Sequence, residues 1–122
     1  MDILFVRELK VQTRIGIYDW EREVPQTVLI DLEIAADAAC AAKSDSVSAT
    51  INYQSVCDRI VEYLEGTETQ LVETVAETIA HMVREEFSAR WVRVSVHKPA
   101  AVRGTRDVGV RIERGILEPG TI

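Results

Sequence analysis

Residues 91–99 have the sequence Trp91-Val92-Arg93-Val94-Ser95-Val96-His97-Lys98-Pro99. Side chains alternate between the two faces of a strand, so the three valines predict a strand with one buried face. Lys98 is the next residue of that apolar row and would carry an ammonium group to the rim of the core, where Pro99 ends the strand. Partial burial lowers the pKa of a lysine, as proton transfer requires, although a side chain whose charged end reaches water explains the pattern more simply.

Three other segments alternate in the same way. The first predicts a long strand from apolar residues of a single parity: Ile3, Phe5, Leu9, Val11 and Ile15. Alternating apolar and polar residues predict a second strand over residues 28–34 and a last strand over residues 108–112. Gly16 and Pro25 lie between the first two strands, where they predict an irregular loop.

Two helices are predicted between the second strand and the Lys98 strand. The first has one apolar stripe, formed by Tyr53, Val56, Cys57, Ile60, Val61 and Leu64. Asn52 is predicted to cap the start of this helix and Gly66 to end it. The sequence Thr67-Glu68-Thr69-Gln70 matches a capping box and predicts the start of the second helix, whose apolar side runs through residues 71–87.

The order of these elements is ββααββ, which predicts an α+β fold with a four-stranded antiparallel sheet and two helices on one face. Residues 1–115 are predicted to form a single domain, because a chain of 122 residues suffices for one core but not for two. The periodicity stops after Gly115, so residues 116–122 are predicted to be a flexible C-terminal tail.

The chain carries a net charge of −6, which argues against nucleic acids and anionic membranes as partners. No apolar run approaches the roughly 20 residues of a membrane-spanning helix, and residues 1–5 lack the basic start of a signal peptide. Cys40 and Cys57 fit reduced thiols better than a disulfide framework. A cytoplasmic protein is therefore predicted.

Six short motifs lie at the junctions of these elements. They are Ile15-Gly16-Ile17-Tyr18-Asp19-Trp20-Glu21 with Gln26, Ala42-Lys43-Ser44-Asp45, Asn52-Tyr53, Leu71-Val72-Glu73-Thr74-Val75-Ala76-Glu77, Lys98-Pro99 and Gly109-Val110-Arg111-Ile112-Glu113-Arg114. With the motifs in this order and spacing, nearly the whole chain resembles the dihydroneopterin aldolase family of folate biosynthesis. The resemblance implies the tunnelling fold, in which four subunits close their sheets into a ring and two rings stack as a homo-octamer. It also implies active sites between neighbouring subunits.

The reaction implied by the resemblance is a retro-aldol cleavage of the C1′–C2′ bond of 7,8-dihydroneopterin, giving 6-hydroxymethyl-7,8-dihydropterin and glycolaldehyde. Most aldolases supply an electron sink as a lysine Schiff base or a metal ion. The dihydropterin ring already has such a sink, the C6=N5 imine beside C1′, so the protein only has to move protons. No cofactor or metal is therefore expected, and His81 and His97, the only histidines, lack the spacing of a ligand set.

The same resemblance implies catalytic roles for Lys98, Glu21 and Tyr53. Lys98 would be the general acid/base, which near neutral pH requires a pKa below the ordinary lysine value of about 10.4. Glu21 would orient the substrate or a water and hold the proton network of Lys98, although a solvated loop carboxylate is the commoner fate of a glutamate. Tyr53, donated across the subunit interface, would protonate C1′, although a core-edge aromatic would also begin the apolar stripe in this way.

Pterin binding is assigned by the resemblance to Glu73. A carboxylate can accept two parallel hydrogen bonds from the 2-amino group and N3 of a pterin. On a helical wheel Glu73 lies just beside the apolar sector, which permits a place at the pocket edge and equally a solvated one. The further pocket residues implied by the resemblance are Val72, Ile51 and Asn52.

Other functions stay open at this point. A 2′-epimerase of dihydroneopterin or its triphosphate would use the same fold, and Arg103 and Arg106 are the only candidates to bind a triphosphate. A Schiff base on Lys98 is a second enzymatic alternative. A non-catalytic oligomeric module would pair its exposed strand edges but would not explain why Glu21, Tyr53 and Lys98 lie at the ends of elements. RNA binding conflicts with the acidic charge and with the small number of aromatic residues on the strands.

Overall fold

The structure is a computed structural model that describes residues 2–117. Its elements, in chain order, are β1 (Asp2–Ile15), β2 (Gln26–Ala36), α1 (Ala38–Ser44), α2 (Tyr53–Glu65), β3 (Glu68–Thr69), α3 (Val72–Glu86), β4 (Trp91–Pro99) and β5 (Asp107–Gly115). Short 3-10 turns lie at Asp19–Arg22 and Val47–Ala49. The strands form one sheet in the order β3-β1-β2-β4-β5, in which the four longer strands are antiparallel.

The α+β class is confirmed, but the prediction of a four-stranded antiparallel sheet lacks one strand. A fifth strand, β3, pairs in parallel with Arg14 and Ile15 at the end of β1. The prediction that residues 67–70 would start a helix is therefore wrong, and α3 begins only after Leu71, where no side chain caps it. The physical reason is that this segment satisfies its backbone groups in the sheet, where the carbonyl oxygen of Thr69 accepts a hydrogen bond from the Gly16 amide at 3.1 Å.

A third helix, α1, occupies the alanine-rich segment after β2, whereas the sequence pattern predicts only two helices in all. Asp37 caps its start, because Oδ1 accepts a hydrogen bond from the Cys40 amide at 3.0 Å. Asp45 ends it in the left-handed conformation, with φ of 48°. Helix α1 and the turn Val47–Ala49 together carry the chain from the end of β2 to the start of α2.

Strand β1 contains a β-bulge that reverses which of its side chains face the core. Arg7 and Glu8 together lie opposite the single residue Asp31, because the register shifts within residues 6–9. Glu8 has φ of 54°, and its amide donates a hydrogen bond to Asp31 Oδ1 at 2.6 Å. The extra residue moves the first part of the strand onto the opposite parity. The predicted single parity is therefore wrong before the bulge, and Phe5 is 57% exposed.

Helices α2 and α3 pack on one face of the sheet, as predicted. The buried row of β4 is confirmed, since Val92, Val94 and Val96 are each at most 1% exposed. The buried residues of the helices include Val56, Ile60 and Leu64 in α2 and Val75, Ile79 and Val83 in α3. Because Lys98 follows in the same row, it leaves β4 on the face that the helices cover.

The last strand ends at Gly115, where the predicted domain of residues 1–115 also ends. The amide of Ile116 still donates a hydrogen bond to the carbonyl oxygen of Arg90 at 3.0 Å, and Leu117 is exposed. The other residues of the predicted flexible tail, 118–122, lie outside the described residues. No helix within residues 2–117 is long and apolar enough to cross a membrane.

Candidate active site

Lys98 and Glu21 meet at one end of the sheet. Lys98 lies near the end of β4, and Glu21 belongs to the 3-10 turn Asp19–Arg22 that follows β1. Lys98 Nζ lies 3.3 Å from Glu21 Oε2, and the two side chains are 14% and 18% exposed. The strand therefore brings an ammonium group to a partly buried carboxylate that is 77 residues away in the sequence. Such a pair can hold and transfer protons beside a bound substrate.

The turn that carries Glu21 folds back tightly on the end of β1. A side-chain carbon on Gly16 would lie 2.3 Å from Glu21 Cβ and 2.9 Å from its Oε2, so only glycine leaves room for this carboxylate. The Tyr18 amide donates a hydrogen bond to Glu21 Oε1 at 3.2 Å, and Gln26 Nε2 donates to the Glu21 carbonyl oxygen at 2.7 Å. These contacts hold both the backbone and the carboxylate of Glu21 in place.

Arg22 ties the same turn to the edge of the sheet. Its side chain is 13% exposed, and Nη1 donates hydrogen bonds to the carbonyl oxygens of Gly16 at 2.6 Å and Ile17 at 3.1 Å. The guanidinium group also pairs with Asp19 at 2.5 Å and with Glu68 of β3 at 3.2 Å. No local pattern of residue types distinguishes Arg22 from an exposed loop arginine, so its place at the site was not predicted.

The carboxyl group of Glu21 is held in its ionised form. The hydrogen bond from the Tyr18 amide, followed by the interaction with the Lys98 ammonium, lowers the pKa of Glu21 below its ordinary value of 4.5. Partial burial acts in the opposite direction but does not prevail. At neutral pH the site therefore holds a negative charge next to Lys98.

The contribution of Glu21 to the free energy of unfolding is expected to depend on pH. Because its pKa is lower in the folded chain, ionised Glu21 stabilises the fold above pH 4.5, and this contribution is lost as the pH falls through the folded-state value. Urea unfolding of the protein and of Glu21→Gln, at about pH 7 and about pH 3, measures the difference. Glu85→Gln, at an exposed position of α3, is the control. A Glu21→Gln difference that is the same at both pH values would contradict the assignment.

Val72 and Glu73 lie in the first turn of α3, at the same end of the sheet as Lys98. The short strand β3 precedes them and pairs with the last residues of β1, next to Gly16. Val72 is half-buried against the core, whereas Glu73 is exposed. Within residues 2–117 Glu73 forms no ion pair, so its carboxylate is available to a ligand.

The start of α2, residues 51–53, lies at the opposite end of the sheet. Ile51 lines a cavity together with Arg90, which directly precedes β4. Arg90 and Lys98 are separated by most of the length of β4, which at about 3.3 Å per residue is roughly 25 Å. One chain alone therefore does not bring Tyr53 to Lys98.

Asn52 and Tyr53 have different local surroundings. Asn52 caps α2 as predicted, because its Oδ1 accepts hydrogen bonds from the amides of Gln54 at 3.0 Å and Ser55 at 3.3 Å. Tyr53, the first residue of α2, is 57% exposed. Its ring is therefore not held in the core, and its hydroxyl is accessible to another molecule.

Several known proteins similar to this chain are named as dihydroneopterin enzymes. A sequence model of the family described as dihydroneopterin aldolase (FolB) matches residues 4–113. The chain is 44% identical over 115 residues to the dihydroneopterin aldolase of Escherichia coli, with 94% of each chain covered. Its structure is similar to the crystal structure of the E. coli dihydroneopterin aldolase in complex with neopterin, with a TM-score of 0.91, 43% identity, and coverage of 94% of this chain and 100% of that chain. The chain is also 31% identical over 107 residues to the dihydroneopterin triphosphate 2′-epimerase of Pseudomonas aeruginosa, covering 88% of this chain and 87% of the relative.

Proposed function

The chain belongs to the dihydroneopterin aldolase family, and we propose that its Lys98–Glu21 pair is the proton-transfer centre of the aldolase reaction. The protein is a lyase of folate synthesis with dihydroneopterin aldolase activity. The observation that best supports the proposed centre is the contact between a partly buried ammonium group and an ionised carboxylate at the end of β4.

The proposed cleavage needs only proton transfers. A base takes the proton of the 2′-hydroxyl while the C1′–C2′ bond breaks, glycolaldehyde leaves, and the electron pair moves through C6 to N5, which takes up a proton. C1′ is then protonated and N5 gives up its proton, which restores the C6=N5 imine in 6-hydroxymethyl-7,8-dihydropterin. Lys98 is the general acid/base of these steps, and no bond forms between substrate and protein.

Two other residues complete the proposed catalytic set. Glu21 orients the substrate or a water beside Lys98 and keeps the lysine side chain at the pocket. Tyr53 of a neighbouring chain protonates C1′, a role supported by its exposure and by its distance from Lys98 within one chain. The remaining residues proposed to line the pocket are Val72 and, like Tyr53 from the neighbouring chain, Ile51 and Asn52.

Incubation of the purified protein with 7,8-dihydroneopterin tests the function directly. Chromatography should show 6-hydroxymethyl-7,8-dihydropterin, formed together with an equal amount of glycolaldehyde. Disappearance of the substrate without glycolaldehyde, or no reaction, would contradict an aldolase.

A 2′-epimerase side activity is part of the proposal, because one of the relatives is an epimerase. The same bond breaks, and glycolaldehyde rotates before it adds back to C1′, so one site serves both reactions. A triphosphate substrate would need cationic side chains near the pocket. Arg106 does not lie there, because it lines a cavity with His97 on the face of the sheet opposite to Lys98. The chromatogram of the aldolase assay also quantifies the epimer.

Glu73→Ala is expected to weaken pterin binding while leaving the fold intact. Glu73 is proposed to accept hydrogen bonds from the 2-amino group and N3, and the loss of a charge-assisted hydrogen bond costs about 1.5–3 kcal/mol. Calorimetric titration with 6-hydroxymethylpterin measures this change. Glu77→Ala is the matched control, since Glu77 lies one turn later on α3 and pairs with Arg114. If Glu73→Ala binds the pterin as tightly as Glu77→Ala does, Glu73 does not bind the pterin and is a solvated residue of the helix.

The proposed assembly is a homo-octamer of two stacked four-subunit rings, with active sites between neighbouring chains. On its outer side β1 pairs with β3 only at residues 14–15, so most of this edge and the outer edge of β5 are unpaired within residues 2–117. Unpaired strand edges are natural places for the strand of another chain. Residues 1–115 are proposed as the single catalytic domain, and the cytoplasm as its compartment.

A further inference from the structure

His97 lies between two carboxylates on the sheet face opposite to the helices. Its Nε2 lies 2.8 Å from Asp31 Oδ2, and its Nδ1 lies 3.1 Å from Asp107 Oδ2. The three side chains are between 27% and 32% exposed. Asp31 belongs to β2, His97 to β4 and Asp107 to β5, so these three residues, named here the His97 clamp, join three strands.

The His97 clamp lies directly behind Lys98. The two residues are adjacent in β4, so their side chains leave opposite faces of the sheet. Pairing between β2 and β4 ends at His97, which lies opposite Leu29. Lys98 itself has a paired neighbour only on the other side, Val108 of β5. On the β2 side, the contact between His97 and Asp31 is therefore the last side-chain link that restrains β4 before the lysine.

The backbones of β4 and β5 approach closely at the same point. Gly109 lies opposite His97, and a side-chain carbon on Gly109 would lie 1.9 Å from the carbonyl oxygen of Val96. Asp107, two residues earlier in β5, lies opposite Pro99 at the very end of β4. Through Asp107 the clamp thus reaches past Lys98 on the β5 side.

We propose that His97, held by Asp31 and Asp107, is a positioning residue that fixes the place from which the Lys98 side chain starts. The proposal rests on the role of Lys98 as general acid/base. A lysine has a flexible four-carbon stem, so its backbone must be fixed if Nζ is to stay within hydrogen-bond reach of Glu21 and the substrate. His97 acts through Lys98 and touches neither the substrate nor the reacting atoms.

Strand β4 carries a second clamp that serves as a control. Arg93 pairs with Glu33 of β2 at 2.9 Å and with Glu113 of β5 at 2.8 Å. It lies on the same face of β4 and joins the same three strands, but it lies near the other end of the strand from Lys98. Loss of Arg93 therefore removes a clamp of the same kind without releasing the end of β4.

Steady-state kinetics of His97→Ala and Arg93→Ala, each made in the wild-type chain and in Lys98→Ala, test the proposal. In the wild-type chain, His97→Ala is expected to lower kcat about 10-fold with KM changed less than about twofold, whereas Arg93→Ala leaves kcat unchanged. In the Lys98→Ala chain, His97→Ala should change the residual turnover by less than about twofold, because the group that it positions is gone. Melting temperatures of all variants show how far each clamp stabilises the fold.

Asp107→Ala and Asp107→Asn keep the test decisive if His97→Ala does not fold. Asparagine retains an acceptor oxygen for the ring N–H of His97, so Asp107→Asn should keep at least about half of kcat, while Asp107→Ala reproduces the loss. Equal losses from His97→Ala in both chains, or the same loss from Arg93→Ala, would overturn the positioning role and leave the Lys98 mechanism intact. Full turnover in Lys98→Ala would instead refute the acid/base role, and the positioning role with it.

Discussion

Lys98→Ala is expected to lower the turnover of 7,8-dihydroneopterin about 10²–10⁴-fold, the usual contribution of a positioned acid/base. The ammonium group contacts Glu21 at the rim of the core, so its removal should leave the fold intact. Pterin affinity should change much less, because recognition of the ring is proposed to depend on Glu73. Measuring kcat separately from the affinity for the pterin product distinguishes the two effects.

Lys98→Arg separates the positive charge from proton transfer. Arginine can still pair with Glu21, but it stays protonated at neutral pH and cannot act as a base. Turnover should therefore be as low as in the alanine variant. An arginine variant with nearly normal turnover would show that the charge alone is needed and would contradict the acid/base role.

The imine of the substrate accepts the electrons of the broken C1′–C2′ bond. We therefore expect that Lys98 never forms a bond to a carbon atom of the substrate. Borohydride added during turnover should trap no adduct, and the mass of the peptide that contains Lys98 should stay unchanged. An increase in that mass would show that Lys98 forms a Schiff base and would contradict a mechanism by proton transfer alone. The fold and the substrate would be unaffected by that result.

Two inactive variants, Lys98→Ala and Tyr53→Phe, are expected to regain activity when they are refolded together. Tyr53 and Lys98 lie at opposite ends of the sheet within one chain, so each site is proposed to combine Lys98 of one chain with Tyr53 of its neighbour. In a random mixture about a quarter of the sites would receive both intact residues. Each variant alone should keep at most about 1% of turnover, since each lacks a proton-transfer group.

A control mixture combines Tyr53→Phe with a chain that carries both substitutions and therefore offers no intact tyrosine. It should stay inactive, although sedimentation should show a species of about eight chains in both mixtures. A first mixture that assembles fully and stays inactive would rule out a site shared between chains.

Alternation along β4 was sufficient to predict the place of Lys98, because in a regular strand the face of each residue follows from its neighbours alone. The same reasoning gave the wrong face for Phe5 in β1. The β-bulge before Leu9 depends on a contact with Asp31 of the next strand, 23 residues after Glu8. No local pattern of residue types marks such a contact.

The surroundings of the Lys98–Glu21 pair could not be predicted for the same reason. Glu21 was linked to Lys98 by family resemblance, since alternation does not reveal which elements meet across 77 residues. Arg22 and His97 contact carboxylates that are 46 and 66 residues away, so their roles depend on how the strands are ordered in the sheet. The capping pattern at residues 67–70 was misleading because β1 offered that segment hydrogen bonds of its own.

The distance between Tyr53 and Lys98 also has a consequence for how the assembly responds to its substrate. In the proposed assembly a pterin lies between two chains and touches both, so its binding free energy opposes their separation, just as any ligand stabilises the state that it binds. When substrate is scarce, the chains of the proposed assembly would dissociate more easily, and abundant substrate would stabilise their association. Strong dilution should then lower the rate per chain, and pterin added before dilution should preserve it.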